Sequence, residues 1–177
     1  MKLLTFTMLL FAIVLQDEQQ ISNFYLENQS VQYRKVFELN NMSDSVIIKK
    51  LNSYLPTVSC LRNIQFNGNV FTGRIENLTV DYKKYGGRWG TTWIALNHPM
   101  NGNLTIQVKN NKYRVIISDM EFISTSPYIV YDVNGTVTRK RGTEFSANNT
   151  IIQGLDFLDK CFTEKFTISE QQLDDNW

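Results

Sequence analysis

Apolar and polar positions alternate along "VQYRKVFEL", with Val31, Tyr33, Phe37 and Leu39 on one phase. A period of two marks a half-buried strand, so the first predicted element is a strand over 31–39. The period then lengthens. In "NNMSDSVIIKKLNSYLP", Ile47, Leu51, Tyr54 and Leu55 recur at helical spacing. Ser43 stands as N-cap, Asp44 lies in the first turn where the helix dipole favours a carboxylate, and Pro56 supplies the stop.

Alternation returns between Ile64 and Tyr82, with Phe71 and Ile75 on one phase and Leu78, Val80 and Tyr82 on the other, so a bulge or a new strand is expected near Asn77. "TTWIAL", residues 91–96, reads as a further short strand. "NLTIQVKNNKYRVII" predicts a hairpin turning at Asn110-Asn111, because asparagine tolerates the positive φ that a two-residue turn requires. That register sets Val108 opposite Tyr113, Ile106 opposite Val115 and Leu104 opposite Ile117, and puts Gln107 beside Arg114 on the other face. Asn134-Gly135 predicts a second hairpin through a type I′ turn. Ile151, Leu155, Leu158, Phe162 and Phe166 then follow helical spacing despite Gly154. The whole is an α+β domain, one antiparallel sheet covered on one face by a helix near 45–55 and a helix near 151–166.

The N-terminus changes the picture of where the domain starts. A single cation, Lys2, precedes an apolar run from Leu3 to Leu15. Thirteen residues at about 1.5 Å each reach about 20 Å as a helix, short of the roughly 30 Å hydrocarbon layer. Residues 1–16 therefore read as a signal peptide rather than an integral membrane span, which points to export into a periplasmic, outer-membrane-associated or secreted location. Residues 17–30 read as an N-terminal extension, 31–167 as the domain and 168–177 as a flexible acidic tail.

Charge and composition exclude more than they assign. The 177 residues carry 18 Lys plus Arg against 17 Asp plus Glu. A near-neutral chain lacks the basic field and counterion release on which nucleic-acid affinity rests. Cys60 and Cys161 would, if bridged, close a loop of about 100 residues worth roughly 4 to 5 kcal/mol in the chain-entropy model; otherwise they are two small buried hydrophobes. They cannot make a zinc site without a histidine pair, and no cofactor is indicated. Six N-x-S/T sequons, at Asn28, Asn41, Asn77, Asn103, Asn134 and Asn148, are glycan candidates in a eukaryotic secretory pathway and plain turns in a bacterium; Asn134, inside a tight turn, is the poorest acceptor of the six.

The most suggestive stretch is "KKYGGRWGTTW", Lys83 to Trp93. It lacks the lysine and following helix of a phosphate-binding loop and the spacing of a dinucleotide fingerprint. Two readings stand: its glycines let a sheet connection turn while Tyr85, Trp89 and Trp93 anchor it, or Tyr85, Arg88, Trp89 and Trp93 form a recognition surface of residue types common in interface hot spots. The direction of Trp89 separates them. Catalytic chemistry is poorly supplied: the single histidine, His98, precedes Pro99 and has no nucleophile signature near it, Asp156 with Asp159 reads as helix-surface solvation, and Arg139–Arg141 reads as a solvated strand end.

The order strand, helix, four-stranded meander, helix, together with "KNNKYRVIISDMEF" and its Lys112, Tyr113 and Arg114 followed by Val115 and Ile117, resembles a Bacteroidota family of exported proteins of unknown function with a TBP-like fold. The resemblance spans about 31–166 and implies a β-α-β(4)-α order and an exported location, with no activity and no DNA binding attached to the fold. The Gly-Gly-Arg-Trp-Gly insertion is a departure from that family. The functional expectation is a non-enzymatic exported domain that binds a protein or envelope glycan through loop aromatics; the alternative is a carrier of a small apolar ligand held between sheet and helices.

Overall fold

Asn110 and Asn111 both take positive φ, 56° and 61°, and close the hairpin between the two longest strands of a computed structural model that describes residues 19–39, 41–124 and 130–168. Those strands, β6 and β7 below, pair Val108 with Tyr113, Ile106 with Val115 and Leu104 with Ile117 as the alternation required. The strands in chain order are β1 (Gln19–Ile21), β2 (Phe24–Glu27), β3 (Ser30–Glu38), β4 (Leu61–Asn67), β5 (Val70–Leu78), β6 (Met100–Lys109), β7 (Lys112–Ile123), β8 (Val130–Asp132), β9 (Thr138–Arg139) and β10 (Glu144–Phe145). Among the described residues three α-helices accompany them, α1 (Asp44–Tyr54), α2 (Val133–Val137) and α3 (Asn149–Phe166).

The main sheet is antiparallel in the order β1-β2-β3-β7-β6-β5-β4, with β8 joining β7 beyond the end of β3, while β9 and β10 form a separate ribbon. The connection from β3 to β4 carries α1 from the middle of the sheet to its far edge. Both long helices lie on one face. Their buried stripes, Ile47 and Leu51 on α1 and Leu155, Leu158, Phe162 and Phe166 on α3, meet Phe24, Tyr33, Phe71, Ile106 and Val115 of the sheet in one core. Phe162 packs against Tyr33 at 4.8 Å and Phe24 at 6.3 Å between ring centroids, which ties α3 to the β2–β3 end of the sheet.

Four elements differ from expectation. Residues 19–30, read as an extension, supply β1 and β2, with Phe24 and Leu26 buried and Asn28 and Gln29 at φ 49° and 63° in the turn that leads to β3. After a bulge between Ile75 and Leu78, where Asn77 takes φ 56°, the strand stops; Val80 and Tyr82 are buried from a turn. "TTWIAL" holds a 3-10 turn, Ile94–Asn97, rather than a strand, because Trp93 and Leu96 three residues apart must face the same way into the core. Asn134-Gly135 makes no type I′ turn: the Asp132 carboxylate accepts from the Asn134 and Gly135 amides at 3.1 and 3.0 Å and caps α2, whose Val133 and Val137 are buried.

Ile168 is buried and its N–H donates to the Tyr113 hydroxyl at 3.2 Å, so the domain extends through 168. Residues 1–18, including the apolar run, and 169–177 of the tail lie outside the described residues. Among the described residues no helix is long and apolar enough to cross a membrane. Cys60 and Cys161 are buried free thiols, not a disulfide. Burial pushes both thiols up, Cys161 to about 11.

Candidate functional site

The loop 83–93 leans on α3, and three contacts fix it there. Tyr85 Oη donates to Glu164 at 2.9 Å, and Lys84 pairs with the other oxygen of the same carboxylate. Gly87 lies so close to Phe157 and Tyr82 that a Cβ would come within 2.9 and 2.8 Å of their rings. Trp93, 4% exposed, covers Gly154 on α3 and meets Phe122 edge-on at 5.3 Å. Gly154 thus stands inside α3 because an indole occupies the space of its side chain.

Between those anchors the loop turns outward. Gly86 and Gly90 adopt φ of 93° and 81°, a left-handed region that side chains resist. The Thr92 hydroxyl donates to the Arg88 carbonyl at 2.8 Å and accepts the Arg88 amide at 3.1 Å, closing the apex on itself. Trp89 is consequently 78% exposed, with Arg88 beside it in solvent, and Ile94 past the loop is 60% exposed. An exposed indole on a pre-ordered turn is a low-entropy contact surface.

The four residues singled out from sequence therefore divide. Trp89 and Arg88 are presented, whereas Trp93 is a core residue and Tyr85 is half-buried with its hydroxyl committed to Glu164. Desolvation first, then that bond, pushes the Tyr85 hydroxyl up, while Lys84 and Tyr85 hold the Glu164 carboxyl below its usual range. Glu164 and Gly154 carried no sequence signal for this role, since their partners lie some seventy positions away.

The remaining chemistry-bearing residues do not converge. His98 stacks on Tyr131 at 5.4 Å. Asp156 pairs with Lys160 along the helix surface, and Glu144 binds both Arg139 and Lys140. Asp159 belongs to a structural network: it accepts from Asn23 at 2.8 and 2.9 Å, from the Tyr33 hydroxyl at 3.1 Å and from Thr163 at 3.2 Å, with Lys35 at 3.5 Å. Among the described residues no three His, Cys, Asp or Glu side chains gather as a metal site.

The fold and the loop together define an α+β domain of TBP-like fold that displays one aromatic on a fixed turn. Two solved structures share that fold: a TBP-like protein from Parabacteroides distasonis, with TM-score 0.52 and 17% identity over 79% of this chain and 92% of the other, and a DUF4468 family protein from Bacteroides ovatus, with TM-score 0.56 and 16% identity over 85% and 94%. No protein-family model matches the chain, and no curated protein matches it in sequence. At these identities the likeness establishes the fold, in agreement with the resemblance carried by Lys112–Arg114.

Proposed function

We propose that the chain is an exported, non-enzymatic binding domain that captures an envelope glycan or a protein through the apex of loop 83–93. The observation that carries this reading is the opposition of two tryptophans on one short loop, Trp93 buried on Gly154 and Trp89 78% exposed between two positive-φ glycines. Exposing an indole has no stabilising return within the domain, whereas stacking on a sugar face or entering a partner pocket gives one. Arg88 beside it adds a planar donor for hydroxyl or carboxylate groups. Export rests on the apolar run 3–15 behind Lys2.

The test is retention of the domain on insoluble envelope polysaccharide and on immobilised envelope proteins. Trp89→Ala and Arg88→Ala are expected to lower retention at least tenfold with unchanged Tm. Loss of stability in Trp89→Ala, or undiminished retention, overturns the reading.

A further inference from the structure

Among the described residues one edge of the main sheet is left uncovered in its middle. β2 pairs with β3 only from Ser30 to Tyr33, and the turn at Ser22 and Asn23 ends that pairing as the Arg34 amide donates to the Asn23 carbonyl at 2.8 Å. β3 runs on to Glu38, paired with β7 alone among the described strands. Backbone groups of successive residues in an antiparallel strand point alternately to its two sides. Since Arg34 faces the β2 side and the Leu39 amide faces β7, bonding the Asn111 carbonyl, the N–H and C=O of Val36 point into the vacated lane. Val36 itself is 50% exposed.

The side chains around this edge identify a cleft rather than a bare strand. A cavity of about 630 Å³ is lined by Asn23, Tyr25, Arg34, Lys35, Val36 and Arg114. Lys35 belongs to the helix-covered face and Arg34, Val36 and Arg114 to the open one, so a single cleft touching all of them must wrap around the edge of β3. A second cavity of about 580 Å³ on the open face shares Val36 and Arg114 with it. Among the described residues the lining of the edge cleft contains three cations, Arg34, Lys35 and Arg114, and no carboxylate. Arg34 is held by Glu27, and Lys35 by Thr163 at 2.6 Å and Asp159 at 3.5 Å, while Arg114 is exposed and gives one N–H to Gln107 at 2.6 Å.

We propose that this lane takes the C-terminal end of an extended partner peptide, added antiparallel to β3 with its terminal carboxylate at the closed end. The direction follows from the blockage. An antiparallel strand enters beside Glu38 and runs toward Lys35, where the Ser22–Asn23 turn stops it and the cationic cleft lies. A chain end fits that stop; an internal segment would have to leave the sheet there. Main-chain bonds to Val36 supply affinity, and the carboxylate supplies direction. A second copy of the domain is disfavoured as occupant, because its own Ser22–Asn23 turn limits edge-to-edge pairing to about four residues a side, far below a stable interface.

A library of fluorescein-labelled heptapeptides, alternating β-branched and randomised residues and made both as free acids and as C-terminal amides, tests this by fluorescence anisotropy on the whole chain. Free acids are expected to bind at least tenfold more tightly than their amides. Val36→Asp is expected to lose binding at least tenfold and Arg114→Gln about fivefold, with circular dichroism and Tm retained, and the acid preference is expected to shrink in Arg114→Gln. Trp89→Ala is expected to bind as the parent does, which separates this site from the loop apex. Equal binding of acids and amides, binding unaltered in Arg114→Gln, or a dimer in sedimentation that Val36→Asp dissociates overturns the proposal.

Discussion

The indole of Trp93 sits where Gly154 has no side chain: a Cβ there would approach Trp93 Cε3 to 2.9 Å and Cβ to 3.0 Å. Two effects oppose each other on Gly154→Ala. Helix propensity gains about 1 kcal/mol, and overpacking a rigid buried ring costs about 1–3 kcal/mol. Packing dominates, because Trp93 is buried between α3 and Phe122. We expect a net loss of up to about 2 kcal/mol in urea unfolding; a stabilised variant would show that the indole yields.

Asp159 joins α3 to the β2–β3 ribbon, so its removal strands several donors at once. Asp159→Ala is expected to cost about 2 kcal/mol or more, and Asn23→Ala about 1 kcal/mol. The double variant should cost less than the sum of the two in denaturant titrations, since Asn23 acts through Asp159.

Glu164 governs the loop's attachment with a defined pH dependence. Its carboxyl is held below the usual range by Lys84 and Tyr85. A depressed folded-state value contributes stability above the unfolded value of 4.5 and loses it as pH falls through the folded one. Amide resonances of Gly86 to Gly90 are therefore expected to shift with a midpoint below 4.5, and the shift should vanish in Glu164→Gln. A midpoint at or above 4.5 would mean that the contact is not made in solution.

Both cysteines should behave as inert thiols in the reduced folded chain. Burial pushes Cys161 to about 11, so little thiolate forms near pH 8 and alkylation should be at least tenfold slower than in denaturant. Fast native alkylation would place the thiols in solvent, and mass loss of two hydrogens would reveal a bridge.

Tyr113 contributes to the alkaline limit. Its hydroxyl donates to the Phe166 carbonyl at 2.6 Å and accepts from Ile168, and desolvation pushes it up to about 12. The unfolded tyrosine ionises near 10, so stability present below pH 10 should fall progressively between 10 and 12. Tyr113→Phe should flatten part of that fall while lowering stability at neutral pH by about 1–2 kcal/mol.

Elements governed by their own neighbours could be read from the chain; those governed by distant partners could not. The β6–β7 hairpin follows from two asparagines and flanking alternation, and α3 from spacing that one glycine did not interrupt. Asn134-Gly135 departs from its turn signal because Asp132, two residues earlier, offers the amides a carboxylate and so favours a helix start. Trp93 could not be told from Trp89 by type; what separates them is Gly154, sixty-one positions on from Trp93. β1 and β2 did leave a local trace in Phe24, Leu26 and the Asn28-Gln29 turn, but strands of three and four residues fall below what periodicity resolves.

Asn134 has a use beyond its sequon. Its side-chain oxygen accepts the Val31 amide at 2.7 Å and so ties α2 to the start of β3. An oligosaccharide on the nitrogen of that amide can be carried only while the oxygen keeps facing Val31, and any rotation made to place the sugar breaks the tie. In a eukaryotic secretory host the sugar would then compete with the fold itself, and Asn134→Gln would be a poor remedy because it displaces the very acceptor that Val31 requires.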